Sequence, residues 1–342
     1  MPKPLFARRV LVVSPTPTYP LDFGNRIRIY EMSKRFQDAG AKVDFLYSPM
    51  EWNTSFIDFE GYRHMVEQWD RVFLVPSESK YYTRPQGTHY GIDEWWEAPL
   101  QHMLEWLLLR QYYDCVVVNY AFLSKTLELV KGTTLRVLDT HDQLAGRKEI
   151  LESLGLEPDF FYLTEEEEAK ALNRADVVIA IKDEESHLFR NYTNKEVITY
   201  PYPGLSQSWI YHGNRKIDDV NLALLRVGFA GGLNQLNITC IRSFISNTRD
   251  LFAQKVAPLV IKIGGSVCEA IEDLASEPHV RLMGRYDEPR EFYSECDLII
   301  NPMLRSTGLK IKTVEAVSLG MPLLSTAHAS EGLPERETSL LF

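Results

Sequence analysis

Two α/β domains, each a doubly wound parallel sheet, are predicted by three observations. Short apolar runs alternate with helical stretches along most of the chain, the pattern of parallel strands joined by crossover helices. The alternation breaks at a polar, irregular stretch, 206–220, and then restarts. Glycine pairs stand just past the carboxyl ends of two apolar runs of the second half, where open α/β sheets take up ligands. Domains are therefore expected at 1–205 and 221–342, joined by a linker at 206–220.

The first half opens with a strand at Val10–Ser14, a Pro/Thr-rich loop, a helix to about Gln37 and a second strand at Lys42–Tyr47, with Gly40 closing the helix. No GxGxxG follows the first strand, which argues against a nicotinamide dinucleotide. Gly24 would let backbone N–H groups approach a phosphate or an acceptor beside Arg26 and Arg28; a turn glycine with two surface arginines is an equal alternative. From Met50 to Trp96 aromatics are dense and only Arg71–Pro76 has the pattern of a strand. Core packing is the first reading of those aromatics, with an acceptor-binding insertion or a membrane-surface contact as others. Strands follow at Asp114–Tyr120 and Leu135–Thr140, the latter running into Thr140-His141-Asp142. A histidine just past a parallel strand is a functional candidate, although alone it is more often a packing or capping residue. Glu165–Glu168 opens a helix, and acids there suit the helix dipole and a solvated face. Asp176–Ile181, a short helix at Glu184–Arg190 and Glu196–Tyr200 complete the half.

The second half repeats the scheme with Leu225–Gly232, a helix to about Asp250, Pro258–Gly265, Val280–Gly284, a helix around Pro289–Cys296 and Leu298–Asn301. A loop opening on Gly308, a helix at about Leu309–Leu319 and a strand at Pro322–Thr326 follow. In that helix Lys312 and Glu315 share a face, while Ile311, Val314 and Val317 are expected to pack on the sheet. A carboxylate can accept two hydrogen bonds from a vicinal diol, and lysines at a helix start add charge for a phosphate. That is chemistry for a sugar nucleotide; a solvated Lys–Glu pair is the bland alternative.

Of 342 residues, 45% are hydrophobic and 25% charged, a soluble globular profile long enough for two domains. The net charge of −10 opposes general binding to nucleic acid or to an anionic membrane. Cys115, Cys240, Cys268 and Cys296 are scattered, without a CxxC pair or a neighbouring histidine cluster. Reduced, mostly buried thiols, a cytoplasmic setting and no zinc site are expected. The N-terminus lacks the apolar stretch of a signal peptide, and Leu100–Leu109 is too short and too polar to span a bilayer.

The stretch GLKIKTVEAVSLGMPLLST, followed by Glu331-Gly332-Leu333, resembles the donor-binding signature of GT-B glycosyltransferases, especially the retaining family 4 (glycosyl transferases group 1). Phe229-Ala-Gly-Gly232, Lys262-Ile-Gly-Gly265 and Met283-Gly-Arg-Tyr286 are similar to that family's glycine loops and base-contacting segment. The resemblance implies two Rossmann-like domains facing a cleft and glycosyl transfer from a nucleoside-diphosphate sugar to a glycan or lipid-linked acceptor. It implies no bound cofactor and no metal. Glu315 would bind the donor ribose, Lys310 and Lys312 the diphosphate, and Gly232, Gly265, Gly284, Arg285, Thr307 and Gly308 would complete the donor site. His141, with Asp142, would stand at the reacting sugar, and Gly24 and Arg28 on the cleft wall or acceptor side.

Two departures accompany the resemblance. The family's first glutamate is replaced by Thr307, with seven residues between it and Glu315, and its diphosphate-neutralising Arg and Lys are replaced by Leu233-Asn-Gln-Leu-Asn237. The closing helices usual in the family are expected to be missing from 221–342. A sugar-nucleotide epimerase of the same architecture and a catalytically silent nucleotide-binding or scaffold protein stay open as alternatives.

Overall fold

The computed structural model describes residues 8–21, 23–49, 59–76, 89–158, 162–202, 224–253, 259–286, 289–306 and 309–333. The chain forms two compact units, Met1–Pro201 and Tyr202–Phe342. The expected linker falls within 203–223 and so lies outside the described residues, as do Thr307, Gly308 and the final apolar residues.

In the first unit, β1 (Arg9–Ser14), β2 (Lys42–Tyr47), β3 (Arg71–Leu74), β4 (Cys115–Asn119), β5 (Leu135–Asp139), β6 (Val177–Ala180) and β7 (Glu196–Thr199) form one sheet. Their order is β3-β2-β1-β4-β5-β6-β7, and every pairing is parallel. Strands buried on both faces need apolar residues at every position, which is why they are near-continuous apolar runs in the sequence. Successive residues feed opposite layers. Leu11, Val13, Val116 and Val118 enter one core, while Val10, Val12, Cys115 and Val117 enter the other.

The covering helices include α1 (Gly24–Asp38), α2 (Phe59–Gln68), α3 (Ala98–Arg110), α4 (Arg147–Ser153), α5 (Glu165–Leu172) and α6 (Asp183–Tyr192). Helices α2 and α4 had no sequence signal strong enough to predict them. Of the described aromatics expected to pack, Trp69, Tyr90 and Trp95 are buried, and the Trp69 indole N–H donates to Thr18, whereas Phe59 at the start of α2 is exposed.

One expectation about the acidic run is overturned. Glu165 and Glu166 are exposed and Glu167 closes a capping box with Thr164, but Glu168 is fully buried. Its carboxylate accepts the backbone N–H groups of Leu144 and Ala145 at 2.8 and 3.2 Å. The fourth residue of the run points inward because the helix turns it under the loop that follows β5.

The second unit holds β8 (Leu225–Ala230), β9 (Leu259–Gly264), β10 (Val280–Gly284), β11 (Leu298–Asn301) and β12 (Leu323–Ser325) in the order β10-β9-β8-β11-β12. All are parallel. Helices α7 (Gln235–Ala253), α8 (Pro289–Tyr293) and α9 (Ile311–Ser318) cover it. In each sheet the strand order reverses at the first strand, between β1 and β4 and between β8 and β11. Those reversals are the switch points at which such sheets open toward ligands.

Candidate functional site

At the switch point of the first unit, β4 and β5 end in a set of mutually committed polar groups. Arg28 of α1 is buried and makes a bidentate pair with Asp139, at 2.9 Å from Nε and 2.8 Å from Nη2, while Nη1 donates to the Tyr200 carbonyl. Burial opposes the Asp139 charge, but Arg28 and His141 outweigh it and hold this carboxyl below its ordinary range. Arg26 is buried too, its guanidinium over the Phe23 ring. Neither arginine is the surface residue that the simple turn reading expected. The Arg28 guanidinium is spent on Asp139 and the Tyr200 carbonyl, so it holds the strand end.

His141 and Tyr120 follow β5 and β4 with left-handed backbone, at φ 62° and 73°. Non-glycine residues in this region cost about 1 kcal/mol or more each and gather where the surroundings over-determine them, often at functional sites. Their rings stack at 4.2 Å, and the Asn25 amide donates to the Tyr120 hydroxyl. His141 Nε2 lies 2.9 Å from Asn119 Oδ1 and 3.4 Å from Asp139 Oδ2. Both facing atoms are acceptors, so Nε2 carries the proton. Burial lowers the imidazole to about 4, which keeps the ring neutral and makes it an orienting group rather than a general acid. Asp142 stands 3.5 Å from the Arg147 guanidinium. Behind it lies the buried Glu185. Burial first, then the Asp142 charge, pushes Glu185 well above its ordinary range, and burial raises Glu168 to about 7.

The switch point of the second unit is built by β8, β9, β11 and the helix α9. Gly265 has φ 95°, and a side chain there would sit 2.3 Å from the Gly231 carbonyl oxygen, so only glycine lets the β8 and β9 ends close together. Its N–H donates to the Gly284 carbonyl at 2.8 Å, which joins β10 to the same edge. Gly232 faces open space, and its carbonyl accepts from the Asn237 side chain at 3.0 Å. Asn237 in turn accepts from Lys312 Nζ at 2.7 Å. The lysine ammonium also lies 4.1 Å from the centre of the Phe229 ring. Desolvation lowers it to about 8.

Glu315 is buried and accepts from the Tyr293 hydroxyl at 2.8 Å. Burial raises its carboxyl to about 7, although Tyr293 and Lys312 both pull it down. Lys310 caps α9 and is buried. At the end of β11, Asn301 donates to Thr313, while its own buried side-chain carbonyl oxygen has no partner among the described residues. Arg285 is exposed and paired with Glu269 at 2.7 Å.

On the shared face Glu315 turns inward while Lys312 is half-buried, and the expected packing stripe is corrected in part: Val317 does pack against the core. Thr313, Ala316 and Leu319 are the buried positions, whereas Ile311, Val314 and Val317 are half-buried. Glu315 can turn inward because Tyr293 supplies a donor; without it, a buried carboxylate there would be costly. Gly232, Gly265, Gly284, Lys310, Lys312 and Glu315 come together on this unit, with Arg285 at its surface. His141, Asp142, Gly24 and Arg28 come together on the first unit. Asn237 and Tyr293 were missed by sequence reasoning. Asn237 lies in the run that departs from the family's Arg and Lys, which was a usable signal, but nothing around Tyr293 marked it. Among the described residues no cluster of three or more His, Cys, Asp or Glu could hold a metal ion, and no helix is long and apolar enough to cross a membrane.

Comparison with known proteins agrees with this architecture. Residues 225–342 match the family described as glycosyl transferases group 1. No curated protein matches the chain by sequence. Among solved structures, a sucrose-phosphate synthase from Thermosynechococcus elongatus is similar at TM-score 0.67 and 13% identity, covering 94% of this chain and 81% of that one. A UDP-forming trehalose-phosphate synthase from Burkholderia xenovorans is similar at TM-score 0.59 and 11% identity, covering 95% and 85%. Anabaena HepE, in complex with UDP and glucose, gives 0.53 and 15%, covering 93% and 80%. The chain has the two-domain, Rossmann-like GT-B fold, and the match to the glycosyl transferases group 1 model falls within its C-terminal unit.

Proposed function

We propose that this protein is a glycosyltransferase that moves a sugar from a nucleoside-diphosphate sugar to a hydroxyl of a glycan or lipid-linked acceptor. The work we assign to it is bacterial-type surface polysaccharide or glycoconjugate synthesis, with family 4-like, metal-independent chemistry in a cytoplasmic setting. The observation that carries the reading is the Lys312–Glu315 face: a half-buried cation and a buried carboxylate, one helical turn apart, at the ligand end of a GT-B sheet. UDP or UDP-glucose stands in the solved complexes of Anabaena HepE, and that ligand chemistry suits the face.

In this reading Glu315 accepts the two ribose hydroxyls, which needs a carboxylate with unshared lone pairs. Tyr293 occupies one oxygen and fixes the plane of the group. Lys312 neutralises the diphosphate that departs. A fixed cation in a desolvated site stabilises negative charge as it develops, and such preorganised electrostatics usually does more for the rate than any other single effect. Releasing Lys312 from Asn237 and the Phe229 ring to the phosphate keeps it charged, because an anion opposes the desolvation that lowers it. Lys310 and Gly232 add to the same phosphate region. His141, neutral and oriented through Asn119, takes a hydrogen bond at the reacting sugar on its remaining nitrogen, and Asp142 follows it on the acceptor side with Gly24.

The test is calorimetric titration with UDP, GDP, ADP and their sugars, on the wild type and on Glu315→Ala and Lys312→Ala. One base series should bind, more weakly in both variants. Unchanged affinity in both variants would refute the site assignment. Turnover of the bound donor without any acceptor would favour the epimerase class instead.

A further inference from the structure

One carboxylate holds the loop that carries His141 and Asp142. Residues 140–146 leave β5, and His141 sits among them at φ 62°. At the near end, Thr140 is tied to β6 through the Ile179 carbonyl, which accepts its N–H at 3.1 Å and its hydroxyl at 3.0 Å. At the far end, the Leu144 and Ala145 N–H groups point inward and both donate to Glu168 of α5, at 2.8 and 3.2 Å. The Leu163 N–H returns to the Leu144 carbonyl at 3.3 Å. His141 and Asp142 lie between these two anchors.

Two N–H donors need two acceptor oxygens, which the ionised carboxylate supplies. Protonation turns one oxygen into a hydroxyl that offers a proton of its own and faces an N–H. Glu168 is buried. Burial raises it to about 7 despite the two N–H bonds, and Asp142 and Glu165 add to the rise. From α6, Glu185 faces it with Lys182 beside Glu185, and Tyr192 bonds to Glu165. The 3-10 helix Ala121–Glu128 also packs on α5, but its Glu128 pairs with Arg174.

Resting on the reading of His141 given above, we propose that Glu168 is a positioning residue whose carboxylate latches the loop so that His141 meets the reacting sugar, and that a proton on Glu168 releases the latch. Glu168 touches no substrate; it acts through the backbone of Leu144 and Ala145.

The latch is tested by hydrogen–deuterium exchange with mass spectrometry on the full chain at pH 6.0 and 8.0, with labelling times scaled for the intrinsic pH dependence of exchange. The proteins are the wild type and Glu168→Gln, which is isosteric, uncharged and has an acceptor for only one of the two N–H groups. In the wild type, peptides spanning 141–148 should exchange about 10-fold faster at pH 6.0 than at pH 8.0, the effect of one lost hydrogen bond to a charged group. Glu168→Gln should show the fast rate at both pH values, while peptides from β1 exchange alike in the two proteins. Calorimetric titration at pH 8.0 with UDP and UDP-glucose, GDP and GDP-mannose, and ADP and ADP-glucose reads the consequence. For the base that binds, the variant should hold the sugar form about 5-fold more weakly, the effect of one lost neutral hydrogen bond, and the bare diphosphate unchanged.

A wild-type loop that exchanges alike at the two pH values overturns the latch, whether or not the variant folds. Equal acceleration of β1 in Glu168→Gln would mean general loosening and overturn the proposal, as would a freed loop with the affinity for the sugar form unchanged. A wild type that binds no member of the panel overturns the donor-site reading, and with it the part given to His141, while the exchange data still decide the latch.

Discussion

Replacing Glu315 with glutamine should stabilise the ligand-free protein while weakening its hold on the nucleotide. The carboxyl is raised to about 7 by burial, against 4.5 when unfolded. A raised acid means that the native state binds more protons than the unfolded chain between those two values, so stability falls as pH rises through that window and is level above it. At about 1.4 kcal/mol per pH unit the gap amounts to roughly 3 kcal/mol at pH 7.5. Glutamine has no charge to desolvate and keeps an oxygen for the Tyr293 hydroxyl. Urea unfolding followed by circular dichroism should therefore give equal stabilities for wild type and Glu315→Gln near pH 4.5, diverging toward pH 7.5 in favour of the variant. Lys312 stays out of this window: it is lowered to about 8, so its own contribution changes only above that value, where stability rises with pH. Parallel curves for the two proteins from pH 4.5 to 7.5 would refute the assignment of a strained, buried carboxylate to Glu315.

Three further outcomes are expected. Arg28→Leu strands Asp139 in the interior without its bidentate partner and should cost about 3–5 kcal/mol in urea unfolding. Gly265→Ala forces a methyl to 2.3 Å from the Gly231 carbonyl oxygen at φ 95° and should lower stability by well over 1 kcal/mol, whereas Gly232→Ala meets nothing and should stay within about 0.5 kcal/mol; melting temperatures compare the pair directly. Glu185→Gln removes a carboxyl that burial and Asp142 raise. That variant should match the wild type in mild acid and exceed it in stability above neutrality, where the native carboxyl is forced to ionise, as a pH series of melting curves will show.

The sequence by itself determined the strands and their order of appearance. Each parallel strand is covered on both faces, so its apolar run is visible without knowledge of neighbours. Glycine at Gly265 and the Lys312/Glu315 spacing were visible for the same kind of local reason: a backbone conformation and a helical period are written in consecutive residues. Helices α2 and α4 were not, because α2 buries little and α4 is only 7 residues long.

Tertiary structure alone decided which charges are buried and who pairs with whom. Arg28 and Asp139 lie 111 positions apart, and Glu315 faces inward only because Tyr293, from another helix, gives it a donor. The neutral state of His141 comes from its burial and then Arg28, against the pull of Asp139, while Asn119 sets its tautomer. A titratable group's charge is set by the solvent it loses and the partners it gains, and both are properties of the folded chain that no local stretch of sequence contains.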